Sequence, residues 1–562
     1  MSWRAAILGA VVGLLIAGAA VVNDSIVRQT SLIGHLMPIG VVGPAAVLGL
    51  WIASRQRRGW SVGELCVACA IALAACGWTG SAFFRFFAPV QVMPAHLQLT
   101  RPTWQAADVA AYVPLQRGVL LHDGRHEPEQ IQRFLHGSGH RDDPLQWIAH
   151  VDWDAWRPPL LRWGGLALAL GLASICIVAI VHPQWSRHEQ LPYPVARFIE
   201  RLALPMDRRL LLAGLGSMIA LHTVNGLNVW LGTAVRIPLA LDLTPLTVLF
   251  PDVSRAGGAG FLFRPLFVPT VIAFCWFVAE RIALSVGLAQ WLWVGLGAAL
   301  ISGGLSMATL ADGQASPMLA LGACIGVAIG AAYTGRFFYA RVVRSAVGLG
   351  TSSDVPTASV WALRCLVVLI VAAVVWLAGA GVHWSLALVF TLLSLLLLFA
   401  LTRVHVETGM LFLQIGYGPA AAMLGLFGFE AIGPTATLVL LIAGVTLLAD
   451  PRQALMAFAA NGLRLMDRGG VPPCRGVSAI TLMAIASFAV ALLVALPLQM
   501  NLGGNVFDWP ATQLVPSIPF DTLATQIIDA RATGTLDAAR DAGGGPGSPR
   551  SGIRPRRWSP SA

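Results

Sequence analysis

Apolar runs of about 18 or more residues recur from one end of the chain to the other, separated by short polar stretches. Each run is long enough to cross a hydrocarbon core of about 30 Å as a helix. A bilayer offers no water to free N–H and C=O groups, so spanning runs must be helices or closed barrels. A barrel would show alternating segments of about ten residues, and these runs do not alternate. The runs lie near 5–22, 36–54, 61–82, 160–182, 209–234, 263–287, 289–309, 317–339, 359–380, 384–402, 411–427, 431–449 and 477–499. They predict an all-α, polytopic transmembrane helical bundle of about 12–13 spans. The pair after Arg403 is rich in Gly and Pro, which suits a broken or re-entrant helix.

The polar stretches divide the chain. Residues 1–87 carry the first three spans, 88–159 form one long loop, and 160–500 form the main helical bundle. The loop holds a helix-like stretch, Glu127 to Leu135, and an aromatic return, Trp147 to Trp156. It reads as a cap over a pathway. The tail, 501–562, begins with a partly apolar, amphipathic segment from Trp509 to Ile528. From Asp541 onward it is Gly, Pro, Ser and Arg, a composition that reads as disorder. A native tail and a frame-shifted or truncated end both account for it. Met1 to Val22 leads straight into another apolar run, so it reads as an uncleaved first helix.

Charge supplies an orientation. The formal net charge is +10, and all 37 basic residues are arginine. With Arg4 inside, alternation also places Arg55, Arg57, Arg58, Arg187, Arg197, Arg201, Arg208, Arg209, Arg336, Arg341, Arg344, Arg403, Arg452, Arg464, Arg468 and Arg475 inside. That predicts a bacterial inner-membrane protein with a cytoplasmic N-terminus and an extracytoplasmic 88–159 loop. Its basic residues serve topology, and no nucleic-acid partner is implied. The expected partners are the lipid bilayer and a small-molecule substrate.

Seven of the eight cysteines fall in apolar runs, which predicts no disulfide framework. The loop pairs His122/His126 and His136/His140 have i,i+4 spacing, which metals use on a helix, but Gly124, Gly137 and Gly139 argue against helix there. They are weak metal candidates. No phosphate-binding P-loop, G-x-S-x-G or H-E-x-x-H is present. No cofactor is expected, and no enzymatic activity.

The most informative polar segment is His182-Pro-Gln-Trp-Ser-Arg-His-Glu-Gln-Leu-Pro-Tyr-Pro194. Its prolines stop a helix and set an extended turn. Glu189 can pair with Arg187 or Arg197. The stretch Glu189-Gln190-Leu191-Pro192-Tyr193-Pro194 resembles the E-x-L-P-[FY]-P element of the oligopeptide transporter superfamily. It is closer still to a group of large bacterial membrane proteins of uncharacterised function allied to it. Gly63-Glu64-Leu65, Trp153…Trp156…Pro158-Pro159…Trp163, His222…Asn225-Gly226-Leu227, Arg403…Glu407-Thr408-Gly409 and Asp450-Pro451-Arg452-Gln453-Ala454-Leu455-Met456 follow in the same order. The resemblance covers roughly residues 1–500. It implies a secondary carrier, proton-coupled, for peptides or metal chelates, with Glu189, Pro192, Tyr193 and Pro194 at a gate.

Polar residues inside spans are functional candidates because lipid makes them costly. His222, Asn225 and Asn228 share the fifth span, and His222 and Asn225 share a face. Glu64 lies near the start of the third span, and Glu407 follows Arg403 and His405 where the helix is expected to break. These five residues are the expected substrate or proton pathway. The alternative is a membrane glycosyltransferase using a lipid-linked donor, with Asp24 in the first outer loop as its base. A central cavity favours the first reading, and a lateral groove ending at Asp24 the second.

Overall fold

The computed structural model describes residues 2–542 except 29, 55–59, 81, 115–116, 122–126, 138–143, 205–206, 233, 257–258, 305–314, 351–354, 416–417, 449, 451–452 and 505–508. Among them the regular structure is helical, with one isolated β-bridge, Ala240 to Leu266. The main helices are α1 (Trp3–Val22), α2 (Ile39–Ser54), α3 (Val62–Ala74), α4 (Phe83–Gln98), α5 (Gly165–Pro183), α6 (Pro194–Leu202) and α7 (Arg208–Leu231). Next come α8 (Glu280–Ser302), α9 (Ala315–Thr334), α10 (Arg336–Val347), α11 (Thr357–Gly379) and α12 (Trp384–Thr408). The last are α13 (Pro419–Ile432), α14 (Pro434–Leu448), α15 (Leu455–Arg468), α16 (Pro473–Leu502) and α17 (Val515–Thr533).

Seven helical stretches among the described residues are long and apolar enough to cross a membrane, and eight if the pair bent by 78° at Gly335 counts as one. Four shorter apolar helices accompany them. The chain is an all-helical membrane protein. The expected span at 263–287 is not one helix: it breaks into short turns before α8 begins at Glu280. Pro265 follows the short helix Gly260–Phe263 and Pro269 opens the next, Pro269–Phe274, and neither can donate a backbone hydrogen bond. The long-loop reading of 88–159 also shifts at its start. α4 crosses that boundary, with Phe84, Phe87, Val90 and Met93 buried in the core.

Glycines fix how the central helices meet. α1 runs parallel to α3: a methyl at Gly9 would lie 2.5 Å from the Ala68 carbonyl, and one at Gly13 would lie 3.1 Å from Ala75. α15 runs antiparallel to α3, in one register from end to end. Gly77 abuts Leu455, Gly462 abuts the Ala70 carbonyl, and Gly469 abuts Val67 and the Gly63 carbonyl. Small residues let apolar helices approach backbone to backbone, the usual source of packing energy where lipid removes the hydrophobic drive.

Two sets of elements then run in opposite directions. In the first, α1 is followed by an irregular segment, the short α2, the α3–α4 pair and α5. In the second, α12 is followed by an irregular segment, the short α13, the α14–α15 pair and α16. α2 begins with Gly40 against Ile16, part-way along α1, and α13 begins with Ala420 against Gly444, near the end of α14. The two irregular segments touch: the Leu36 N–H donates to the Leu411 carbonyl at 3.1 Å, and the His35 ring meets Phe412 at 4.9 Å. α17 lies over α14 and α4 and buries Val515, Phe520, Leu523 and Ile527, so the proximal tail belongs to the core. The distal tail, 543–562, lies outside the described residues.

Candidate functional site

α3 and α4 are two halves of one interrupted path through the bundle, and so are α14 and α15. The first interruption runs through Gly77, Trp78 and Gly80, and the second through Asp450, Gln453 and Ala454. They meet. A methyl at Gly80, where φ is +74°, would lie 2.6 Å from the Gln453 amide oxygen, and one at Gly77 would lie 2.8 Å from Leu455. Gly171 of α5 seats the Trp78 ring, whose Nε1 donates to the Ala484 carbonyl of α16 at 2.7 Å.

Between the interruptions lies a cavity of about 70 Å³. Ser174 of α5, Leu398 of α12, Thr446 of α14, Asp450 and Gln453 line it, with Trp78, Phe83 and Phe86 as its aromatic wall. Four helix ends open onto it: the C-terminal ends of α3 and α14 and the N-terminal ends of α4 and α15. Helix ends leave backbone donors and acceptors without intrahelical partners. Irregular backbone inside a membrane protein is tolerated where it lines a cavity.

A second cluster sits at the end of the bundle that carries the C-termini of α5, α12 and α15. The Arg403 guanidinium pairs with Glu189 at 2.5 Å and Glu407 at 2.7 Å, and stacks over Trp185 at 5.1 Å. Its side chain and that of Glu189 are almost wholly buried, at 13% and 9% exposure. Glu189 also accepts from the Gln184 amide at 3.2 Å. His182 Nε2 lies 2.9 Å from Asp467, and the Tyr193 hydroxyl lies 3.4 Å from His182 Nδ1. Burial pushes the Tyr193 hydroxyl up from its ordinary pKa. His405 is fully buried. Its Nδ1 lies 2.9 Å from the Met410 carbonyl, so this nitrogen carries the proton, and its Nε2 accepts from Asn461 at 3.0 Å.

The proline-rich element holds this cluster. Gln190 and Tyr193 both take left-handed backbone, with φ of 52° and 45°. Such non-glycine residues cost on the order of 1–2 kcal/mol each. Pro192 and Pro194 flank them, Pro194 opens α6, and the Tyr193 N–H donates to the Val406 carbonyl at 3.0 Å.

The residues singled out from the sequence fall in different places. Glu189, Glu407 and the Pro192-Tyr193-Pro194 turn come together around Arg403. Glu64 forms a capping box with Ser61 at the start of α3. His222, Asn225 and Asn228 lie on α7, away from the cavity. His222 is exposed, and Asn225 exchanges two hydrogen bonds with the Ile237 backbone at 3.0 and 2.8 Å. Asp24 accepts from Asn23 and Ser31 at the turn after α1. His122, His126 and His140 lie outside the described residues, and His136 is exposed at the end of its helix. Among the described residues no group of three His, Cys, Asp or Glu side chains could hold a metal ion. All eight cysteines are free. Thr446, Gln453 and Trp78 are not among the site residues that the sequence singles out. Two sequence signals point there: the Asp450–Met456 motif, and the Gly-Trp-Thr-Gly run from Gly77 to Gly80, which sits inside an apolar run.

These features define a class: a polytopic helical membrane protein built around two interrupted helices that cross head to tail. The chain belongs to DUF6785, a family of unknown function, which it matches over residues 1–541. No curated protein and no solved structure matches it.

Proposed function

We propose that this protein is a secondary transporter that carries a small solute across the bacterial inner membrane, with proton coupling as the resemblance to the oligopeptide transporter superfamily implies. The observation that carries the reading is the crossing of α3–α4 with α14–α15 around a cavity, within two sets of elements that run in opposite directions. Opposed repeats with broken helices at their interface are the construction that lets one half rock against the other about a fixed site. In this reading the cavity is part of the solute site. The Glu189–Arg403–Glu407 cluster closes the cytoplasmic side. The contact of α17 with the 88–159 region closes the other, through Asp521, which pairs with Arg101 at 2.9 Å and accepts from Trp104 at 2.7 Å. The N-terminus is cytoplasmic, because that orientation puts the arginine-rich end inside.

The test is solute exchange by the purified full chain in liposomes, across labelled amino acids, di- and tripeptides and metal chelates. Gly171→Leu, whose side chain would collide with the Trp78 ring at the cavity wall, is the control. Exchange by the wild type and its loss in the variant support transport. Absence of exchange for every class, together with turnover of a lipid-linked sugar that is lost in Asp24→Asn, would overturn it in favour of the transferase.

A further inference from the structure

We propose that the seam between α6 and α15 binds a phosphate group, carried by a lipid headgroup or free in solution. This site is separate from the cavity and does not rest on the transport reading. α6 and α15 pack side by side at the end of the bundle that holds the proline-rich turn. The Arg464 guanidinium of α15 lies over the Tyr193 ring, at the start of α6, at 5.6 Å. One turn further along each helix come Arg197 of α6 and Arg468 of α15. Both act through space on the Arg464 charge. Three guanidiniums therefore converge on one seam, and the positive dipole end of α6 lies beside it.

The carboxylates nearby are already engaged. Glu200 pairs with Arg468 at 3.3 Å, and Asp467 holds His182 at 2.9 Å. Asp467 also attracts Arg187 and Arg464 through space, without an ion pair to either. Arg197 is exposed and Arg464 only partly so. Among the described residues the Arg464 side chain meets the Tyr193 ring and makes no ion pair or hydrogen bond. A charge drawn part-way into a protein normally has a partner, because loss of hydration is costly. Topology asks only that arginines gather on one side of the membrane. It does not ask that they converge on one seam, nor that one be partly buried without a carboxylate. A bound anion accounts for both.

The chemistry selects the anion. The planar fork of arginine matches phosphate oxygens in charge-assisted bonds. A phosphate presents its oxygens in several directions, so guanidiniums from two helices can share it, whereas a carboxylate presents two in one plane. α6 also has the form of a surface helix: Val195, Ala196 and Ile199 are buried, and Arg197 and Arg201 are exposed. A basic amphipathic helix of this kind suits the headgroup level of a membrane. Because Arg464 covers Tyr193, an anion held here also braces the proline-rich turn.

The experiment is thermal unfolding of the purified full chain in a neutral detergent at constant ionic strength. The probes are inorganic phosphate and dihexanoyl phosphatidylglycerol, against chloride and dihexanoyl glycerol, which lacks the phosphate, each at about 10 mM. The expected result is a rise in Tm with phosphate, phosphatidylglycerol or both, beyond that of the controls. Arg464→Gln and Arg197→Gln should each need at least about tenfold more of the active probe for the same rise, as loss of a charge-assisted bond requires. Both substitutions remove a charge that makes no ion pair, so both proteins are expected to fold, and either suffices if the other does not. General salt stabilisation acts on wild type and variants alike, so the variants separate it from binding. A rise with phosphatidylglycerol alone makes the ligand a lipid headgroup, and a rise with phosphate alone makes it a soluble anion. No rise with either, a rise that chloride or dihexanoyl glycerol matches, or a rise untouched by both substitutions overturns the inference.

Discussion

Arg403 is where single side chains matter most. Its guanidinium holds two carboxylates and covers Trp185 in a site that solvent scarcely reaches. Removing one partner of a buried pair leaves an uncompensated charge, at a cost of about 3–5 kcal/mol. Arg403→Ala is therefore expected to lower thermal stability in detergent far more than Glu189→Gln, which neutralises the charge and keeps an acceptor for Gln184. Arg403→Lys should fall between, because it keeps the charge and loses the fork. Equal melting of all three variants would show that the cluster does not hold this end closed. On α7 the expectation is the reverse of what polar residues in a span suggest. His222→Ala should leave solute exchange unchanged, because the ring is exposed and far from the cavity. Asn225→Ala should loosen the segment after α7 by about 1 kcal/mol, through loss of its pairing with Ile237. Faster hydrogen exchange at Ile237 with unaltered transport is the expected reading. The sequence shows that these residues are polar and where they fall in a run. It does not show which way the face of α7 turns, since nothing in an apolar helix marks a neighbour.

At the scale of elements, glycine decides contact. α1 carries Gly9 and Gly13 four residues apart, and the facing surface of α3 is Ala68, Ala72 and Ala75. Gly9→Ala puts a methyl against a backbone carbonyl, which cannot swing aside, and overpacking of this kind costs about 1–3 kcal/mol. A methyl added at Gly43 of α2 would meet nothing within 4 Å, so Gly43→Ala should leave Tm unchanged or raise it. The pair is measured by thermal unfolding, and a Gly9→Ala protein as stable as wild type would contradict the close α1–α3 approach. Apolar run length makes most helices legible, because a run of that length has few alternatives. The interruptions are not legible. Trp78 and Thr79 sit within a run that reads as one span at 61–82, and their break follows from the fit of Gly77 and Gly80 against Gln453 and Leu455. α4 hides inside the long loop because Arg85, Gln91, His96 and two prolines make it look polar, although its phenylalanines are buried. α17 hides for the same reason: Asp521, Asp529 and Arg531 dilute an apolar face that packs on α14 and α4.

Over the whole molecule, the two opposed sets give the bundle two unlike ends. One end gathers Arg187, Arg403, Arg464 and Arg468 with their carboxylate partners near Glu200 and Asp467. The other carries the 88–159 region and α17, joined by Arg101 with Asp521 and by Arg531 with the carbonyls of Ala106 and Ala107. The arginine count of the short loops separates the same two groups, and in the proposed orientation the arginine-rich end is the cytoplasmic one. Two positions report the sides directly. Cys474 is exposed at the start of α16, on the arginine-rich end, and Leu99 is 61% exposed just after α4, on the other. In a protein with Cys275 and Cys365 replaced by alanine, a membrane-impermeant maleimide added to intact cells should label Leu99→Cys and spare Cys474. Both should label once the membrane is permeabilised. Labelling of Cys474 alone would invert the orientation. Labelling of both in intact cells would put α4 and the start of α16 on one side, which the antiparallel fit of α3 with α15 and the direction of α16 beside α1 do not allow.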